Sequence, residues 1–166
     1  FLEAVHEYNR MVFDNGKKNK SLCKDVFDLD PDHYDLVYFD PPYAPPKDDN
    51  CYIKRYHFLE GLSVYWRGLK LLENTKTKKI EKRFTPFSYK HTITDALKEL
   101  IHRFRKSTIV LSYSSNSVPG KEVILDILRG EKRQVEVYEV PHTYSFGTHS
   151  AAQRRKAKEY IFVARG

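Results

Sequence analysis

The stretch "DLVYFDPPY", residues 35 to 43, decides the fold that the sequence predicts. A strand is predicted at 35–39, and its unbroken apolar run at 36–39 is typical of a strand that is buried on both faces of a parallel sheet. Asp40, Pro41 and Pro42 follow at once. Because proline lacks a backbone N–H and has a fixed φ, the strand ends at this point and Asp40 is held extended. The stretch therefore predicts a carboxylate at the end of a central strand.

Helices and strands alternate on either side of this stretch. Upstream, Leu2, Val5, Met11 and Val12 fall on one face of a helix over 1–13, which "DNG" ends. A short strand at 21–24 then ends on Asp25. Downstream, the apolar periods predict helices at 55–73, 92–104 and 119–129 and strands at 108–113, 135–140 and 159–165. In the second of these helices, the inward residues are Ala96, Leu97, Leu100, Ile101 and Phe104.

This alternation predicts an α/β domain with a mostly parallel sheet and helices on both faces. The last two strands lack a helix between them, which predicts an antiparallel pair at one edge. At 166 residues the chain is the length of one domain. Ligands of such sheets bind beyond the carboxyl ends of the strands. We therefore expect Asp25, Asp40 and Ser112 to face one crevice.

Composition indicates the class of partner. The chain has 29 Lys and Arg against 22 Asp and Glu, a net charge of +7 that favours a polyanion such as nucleic acid. Its two cysteines have no metal or redox spacing, and the seven histidines form no metal motif, so we expect no metal site. Nothing in the sequence resembles a signal peptide or a membrane span, so we expect a cytoplasmic protein without a membrane partner.

The quartet at 40–43 suits the chemistry of an aromatic amine. The Asp40 carboxylate and the backbone carbonyls near the two prolines form a rigid cluster of acceptors, and Tyr43 can lay its ring over a planar group. The lone pair of an adenine amino group is delocalised into the ring. Two acceptors on its hydrogens would draw the nitrogen towards tetrahedral geometry and restore its nucleophilicity.

Several segments together resemble a known family. They are "LCKDVFDL", "FDPPY", "YHFLEGLSVYW", "IVLSYSSN" and "YSFGTHSAAQRRKAKEYIFVAR", in this order. The chain is similar to DNA adenine-specific methyltransferases of the Dam and type II restriction-modification kind over nearly its whole length. The resemblance implies a Rossmann-like class I fold, S-adenosylmethionine as cofactor and double-stranded DNA as partner. It is also compatible with a restriction endonuclease as the partner system.

The resemblance also implies roles for individual residues. Asp40 and the Pro41 carbonyl would bind the amino group of a flipped adenine, with Pro42 completing the catalytic quartet and Tyr43 stacking on the base. Asp25, with Val26 beside it, would bind the adenine moiety of the cofactor, which Asp40 also borders. Residues implied at the target base or the DNA are Tyr43, Tyr144, Lys76, Lys78 and Lys79.

The chain departs from this family at its start. The glycine-rich turn of the cofactor site would lie before residue 1, so residues 1–166 would be the C-terminal portion of one catalytic domain, missing its first strands. The alternatives are an inactive nucleic-acid-binding fragment, a fragment that a partner completes, and a methyltransferase for RNA or protein glutamine. The quartet at 40–43 is compatible with each of these alternatives.

Each candidate residue also has a structural interpretation. The quartet could be a turn that ends a strand, Asp25 could cap a helix, and Asp28 and Asp30 compete for its role. Tyr52, Tyr56 and His57 could face the target base or DNA, whereas Tyr56 and Phe58 could equally belong to the core. The polar, basic stretch at about 74–90 is expected to be an exposed insertion, whose lysines could contact phosphates or simply face solvent. The basic residues at 154–156 are equally ambiguous.

Overall fold

The computed structural model describes residues 2–47, 51–74, 76–145 and 154–166, without the side chains at positions 54, 144–145 and 154–155. The helices are α1 (Leu2–Met11), α2 (Tyr52–Arg55), α3 (His57–Val64), α4 (Ile93–Arg103) and α5 (Lys121–Glu131). The strands are β1 (Leu36–Phe39), β2 (Thr108–Ser114), β3 (Gln134–Ser145) and β4 (Arg154–Arg165). Short 3-10 turns occur at Val26–Asp28, Pro31–His33 and Pro86–Ser88. Within these ranges, no helix is long and apolar enough to cross a membrane.

The four strands form one sheet in the order β1-β2-β4-β3. β1 pairs with β2 in parallel, whereas β4 runs antiparallel to both β2 and β3. Because β4 opposes both neighbours, β1, β2 and β3 all point the same way and their carboxyl ends share one edge. The predicted α/β class is confirmed, as is the antiparallel pair at one side of the sheet. The arrangement agrees with the part of a Rossmann-like sheet that the sequence predicts.

Helices α4 and α5 pack against one face of this sheet. The residues predicted to be inward on α4 are all buried, together with Ile124, Leu125 and Leu128 of α5. They share one core with Val37, Phe39, Ile109, Leu111 and Phe162 of the sheet. This single layer of helices fixes β1 and β2 and thereby positions the residues at their carboxyl ends.

The predicted burial of both faces of β1 is wrong. Val37 and Phe39 are buried, but Leu36 and Tyr38 on the opposite face are 57% and 58% exposed. Burial of a strand on both faces requires a second layer of structure. No element in the described part of the chain covers this face of β1.

The predicted strand at 21–24 is also wrong. These residues form no strand, and Leu22 is 59% exposed. A strand needs a neighbour to accept and donate its backbone hydrogen bonds, and none of the described strands runs beside this segment. The helix expected at 1–13 forms as α1, but none of its residues is buried.

The predicted helix over 55–73 is too long, because α3 ends at Val64. Tyr65 and Trp66 have left-handed backbone angles, with φ of 54° and 55°. The Trp66 N–H donates to the Gly61 carbonyl at 2.7 Å, and the indole lies against Gly61. The chain then turns back, so that Leu71 pairs with Ile80 in an antiparallel bridge. The spacing of apolar residues at 55–73 does not reveal this reversal, because the reversal depends on the contact of one tryptophan with one glycine.

Candidate active site

Asp40 lies directly after β1, at the edge where the parallel strands end. Its carboxylate is on the surface, whereas Pro41 is buried. The Ser112 hydroxyl on β2 donates to Asp40 Oδ1 at 3.0 Å and lies 3.4 Å from the Phe39 carbonyl oxygen. The parallel pairing of β1 with β2 brings these residues together. The expected meeting of Asp40 and Ser112 is therefore observed.

The far end of the quartet is anchored to the segment that follows β2. The Val118 N–H donates to the Ala44 carbonyl at 2.9 Å, and the two residues form an isolated bridge. Tyr43 is half-buried, and the edge of its ring packs on Tyr113 with the centroids 5.2 Å apart. The Tyr113 hydroxyl donates to the Val118 carbonyl, and burial raises the pKa of Tyr113 well above its usual value. A neutral, buried tyrosine thus supports the ring of Tyr43.

The quartet combines acceptors with a fixed backbone. Pro41 and Pro42 contribute carbonyls but no N–H donors, and the loop is held at Asp40 by Ser112 and at Ala44 by Val118. A carboxylate and carbonyl groups on a rigid loop can bind a group that carries two N–H hydrogens. The geometry therefore suits recognition of an amino group next to a planar ring.

Asp25 occupies the capping position that the sequence left open as an alternative. Its Oδ1 accepts the N–H of Phe27 at 3.0 Å and caps the turn at Val26–Asp28. Asp30 caps the next turn in the same way, through the N–H of Asp32 at 3.1 Å. Val26 is half-buried against the core. The structure gives no contact between Asp25 and Asp40, so cofactor binding by Asp25 and Val26 stays a prediction.

Two tyrosines after the quartet are exposed rather than part of the core. Tyr52 and Tyr56 stack on each other with their centroids 5.8 Å apart and an interplanar angle of 17°. Both are more than two-fifths exposed. Phe58, the other residue that could have been core, is also exposed and contacts Trp66 edge to face. Tyr52 lies on α2, Tyr56 lies between α2 and α3, and Phe58 lies on α3, all after the quartet loop.

The lysines predicted to contact DNA lie on the hairpin that the Leu71–Ile80 bridge closes. Lys76 and Lys78 are exposed, and Lys79 is half-buried. Lys78 is 3.3 Å from Glu73 Oε2 and also donates to the Glu73 carbonyl. Ile80, which pairs with Leu71 at the base of this hairpin, is buried.

The backbone of Tyr144 lies near the carboxyl end of β3, opposite Arg155. This is the edge of the sheet at which Asp40 lies. Its side chain is outside the described residues, as are the side chains of Arg154 and Arg155.

A cavity of about 430 Å³ beside the quartet loop was not predicted. It is lined by Pro46, Lys47, Tyr89, Lys90 and His91. One side comes from the chain just after the quartet and the other from the chain just before α4. Sequence reasoning missed it because the two segments are distant in the chain and meet only in the fold. The only indication of this cavity in the sequence was the pair of basic residues, Lys90 and His91, just before α4.

Several methyltransferases are similar to this chain over nearly its whole length. The type II methyltransferase M2.HphI of Haemophilus parahaemolyticus is 28% identical over 98% of the chain. Modification methylase StsI of Streptococcus sanguinis and type II methyltransferase M.FokI of Planomicrobium okeanokoites are 24% and 27% identical over 91%. The chain spans 44% of the length of the first protein and 23% of each of the others. The predicted resemblance to type II methyltransferases is confirmed.

Two further comparisons add nothing to this result. No protein-family model matches the chain. A precorrin-6y C5,15-methyltransferase of Geobacter metallireducens superposes on 45% of the chain and 40% of its own, at 16% identity and a TM-score of 0.31. A superposition of that quality carries no argument about the fold.

Proposed function

We propose that the protein to which this chain belongs transfers a methyl group from S-adenosylmethionine to the exocyclic amino group of adenine in double-stranded DNA. The observation that carries the proposal is the quartet loop. Its carboxylate, at Asp40, is held by Ser112 at the end of a parallel strand. The similarity to type II methyltransferases supports the same reaction class.

The proposed mechanism depends on the acceptors of the quartet. Asp40 and the Pro41 carbonyl accept hydrogen bonds from the amino group, which moves its nitrogen towards tetrahedral geometry and localises the lone pair. Asp40 would also stabilise the positive charge that develops on the nitrogen as its bond to the methyl carbon forms and the methyl–sulfur bond breaks, before the nitrogen loses a proton to solvent. Tyr43 stacks on the base and holds its plane.

The residues assigned to the cofactor fit its adenine moiety. Asp25 offers an exposed carboxylate for an amino group, and Val26 offers an apolar side chain for a ring. Asp40 would border the cofactor at its reacting end. When bound, S-adenosylmethionine supplies an electrophilic methyl group.

A duplex must open for this chemistry, because an amino group inside the base stack is out of reach of Asp40. We propose that the adenine is flipped out onto Tyr43. The DNA backbone then runs past the hairpin lysines, Lys76, Lys78 and Lys79, and past Tyr144. The net charge of +7 favours this partner.

Methyl transfer to different acceptors tests the proposed substrate. The full-length protein that contains this chain is incubated with radiolabelled S-adenosylmethionine and with duplex DNA, RNA or protein. We expect label in the DNA alone, and its loss in Asp40→Ala. Label in RNA or protein but not in DNA would refute the proposed substrate.

A further inference from the structure

Ser112 contacts the proposed catalytic carboxylate, but the reaction proposed above assigns Ser112 itself no role. Its side chain is on the face of β2 that α4 and α5 do not cover, yet the residue is only 6% exposed. Its hydroxyl has one hydrogen and two acceptors within reach, Asp40 Oδ1 at 3.0 Å and the Phe39 carbonyl at 3.4 Å. The carboxylate is nearer and charged, so it receives the stronger bond.

The position of Ser112 is fixed by the sheet. Its residue pairs with Ile161 of β4, and the preceding Leu111 pairs with Phe39 of β1. The donor is therefore part of a strand that is hydrogen-bonded on both sides. Asp40, in contrast, is exposed at the start of a loop, where its carboxylate would otherwise turn freely about χ2.

We propose that Ser112 is a positioning residue, which rests on the proposed function. Its hydroxyl holds Asp40 Oδ1 and so orients the carboxylate, leaving Oδ2 to accept from the amino group of the substrate. Part of the cost of ordering the catalytic acceptor is thus met before the substrate binds. Ser112 acts only through Asp40 and touches no reacting atom.

The strand offers a matched control in Ser114. It lies two residues further along β2, so its side chain is on the same face as that of Ser112. It is 3% exposed, and its hydroxyl has no hydrogen-bond partner among the described residues. Ser112→Ala and Ser114→Ala thus remove the same buried atom from the same strand, but only the first removes a contact with Asp40.

The test measures single-turnover methyl transfer to a duplex by the full-length protein, with rates normalised to the cofactor-binding fraction. We expect Ser112→Ala to lower the rate about 10- to 100-fold, the effect of losing one hydrogen bond to a charged group. The concentrations of DNA and of cofactor that give half of the maximal rate should stay within about twofold, since Ser112 itself contacts neither of them. Ser112→Thr should restore most of the rate, and Ser114→Ala should leave it unchanged.

A double-mutant cycle separates positioning from a general effect on the sheet. In an Asp40→Asn background, Ser112→Ala should have a much smaller effect than in the wild type, because the two residues act through one contact. A wild-type rate in Ser112→Ala, or equal losses in Ser112→Ala and Ser114→Ala, would overturn the positioning role while the proposed function stood. Failure of the wild type to methylate DNA would refute the proposed function instead.

Discussion

Asp40 is the residue on which the proposed chemistry depends most. It is exposed at the end of β1, so Asp40→Ala removes an acceptor without removing core volume. We expect methyl transfer to be lost, while the unfolding midpoint and the affinity for DNA stay close to those of the wild type. Asp35, exposed at the amino end of the same strand, provides the matched control Asp35→Ala. A rate above a few per cent of the wild-type rate in Asp40→Ala would show that Asp40 is not the required acceptor for the amino group.

Tyr43 separates the contribution of a ring from that of a hydroxyl. Stacking needs only the ring, so Tyr43→Phe should bind the flipped base almost normally, whereas Tyr43→Ala should bind it less tightly by about 1 to 3 kcal/mol. The ring also packs on Tyr113, which Phe preserves. Fluorescence of a 2-aminopurine at the target position reports the flipped state. Equal losses in the two variants would show that stacking is the wrong explanation.

Among the elements, α4 and β2 were predictable because the apolar period of the helix and the apolar run of the strand are both visible in the local sequence. Ala96, Leu97 and Ile101 pack against the strand that follows their own helix. The segment at 21–24 and the outer face of β1 depend on partners outside the local pattern. Their apolar residues therefore predicted burial that does not occur in the described structure.

The end of α3 gives a prediction about stability. A Cβ added at Gly61 would overlap with Cε2 of the Trp66 indole, so the indole or the helix would have to move. We expect Gly61→Ala to lower the free energy of unfolding by about 1 to 3 kcal/mol. Gly130 on α5 has open space around it, so Gly130→Ala should instead raise stability by up to about 1 kcal/mol. Chemical denaturation measures both, and a stabilised Gly61→Ala would contradict the described reversal.

The hairpin lysines give a prediction about DNA affinity. Neutralising Lys76, Lys78 and Lys79 with glutamine should flatten the slope of log affinity against log salt by up to about 2 to 3 units, with little change in sequence preference. Because Lys78 already contacts Glu73, its share should be smaller than that of the exposed Lys76.

The control for this variant neutralises Lys98, Arg105 and Lys106. It removes the same charge from α4 and from the segment that leads to the amino end of β2, away from the edge at which Asp40 lies. An unchanged slope in the hairpin variant would identify the lysines as solvated surface and move the contact to the basic residues at 154–156.

At the scale of the whole molecule, the direction of the strands determines where the candidate site lies. The sequence located the quartet at the end of β1 because prolines stop a strand visibly. The hydrogen bond between Ser112 and Asp40 was beyond sequence reasoning, since it depends on the register of two strands far apart in the chain. The cavity beside Lys47 was missed for the same reason. The residue types of the quartet were enough to predict its chemistry. The contacts around it, such as that of Ser112 with Asp40, depend on how distant segments pack in the fold.

The identity of the methylated base shows whether the quartet at 40–43 acts on adenine. Duplex DNA is treated with the full-length protein and S-adenosylmethionine carrying a deuterated methyl group, then digested to nucleosides and analysed by mass spectrometry. We predict deuterated N6-methyladenine from the wild type and from Asp35→Ala, and none from Asp40→Ala. Deuterated N4-methylcytosine in place of N6-methyladenine, or N6-methyladenine formed equally by Asp40→Ala, would contradict the claim that this quartet binds and methylates adenine.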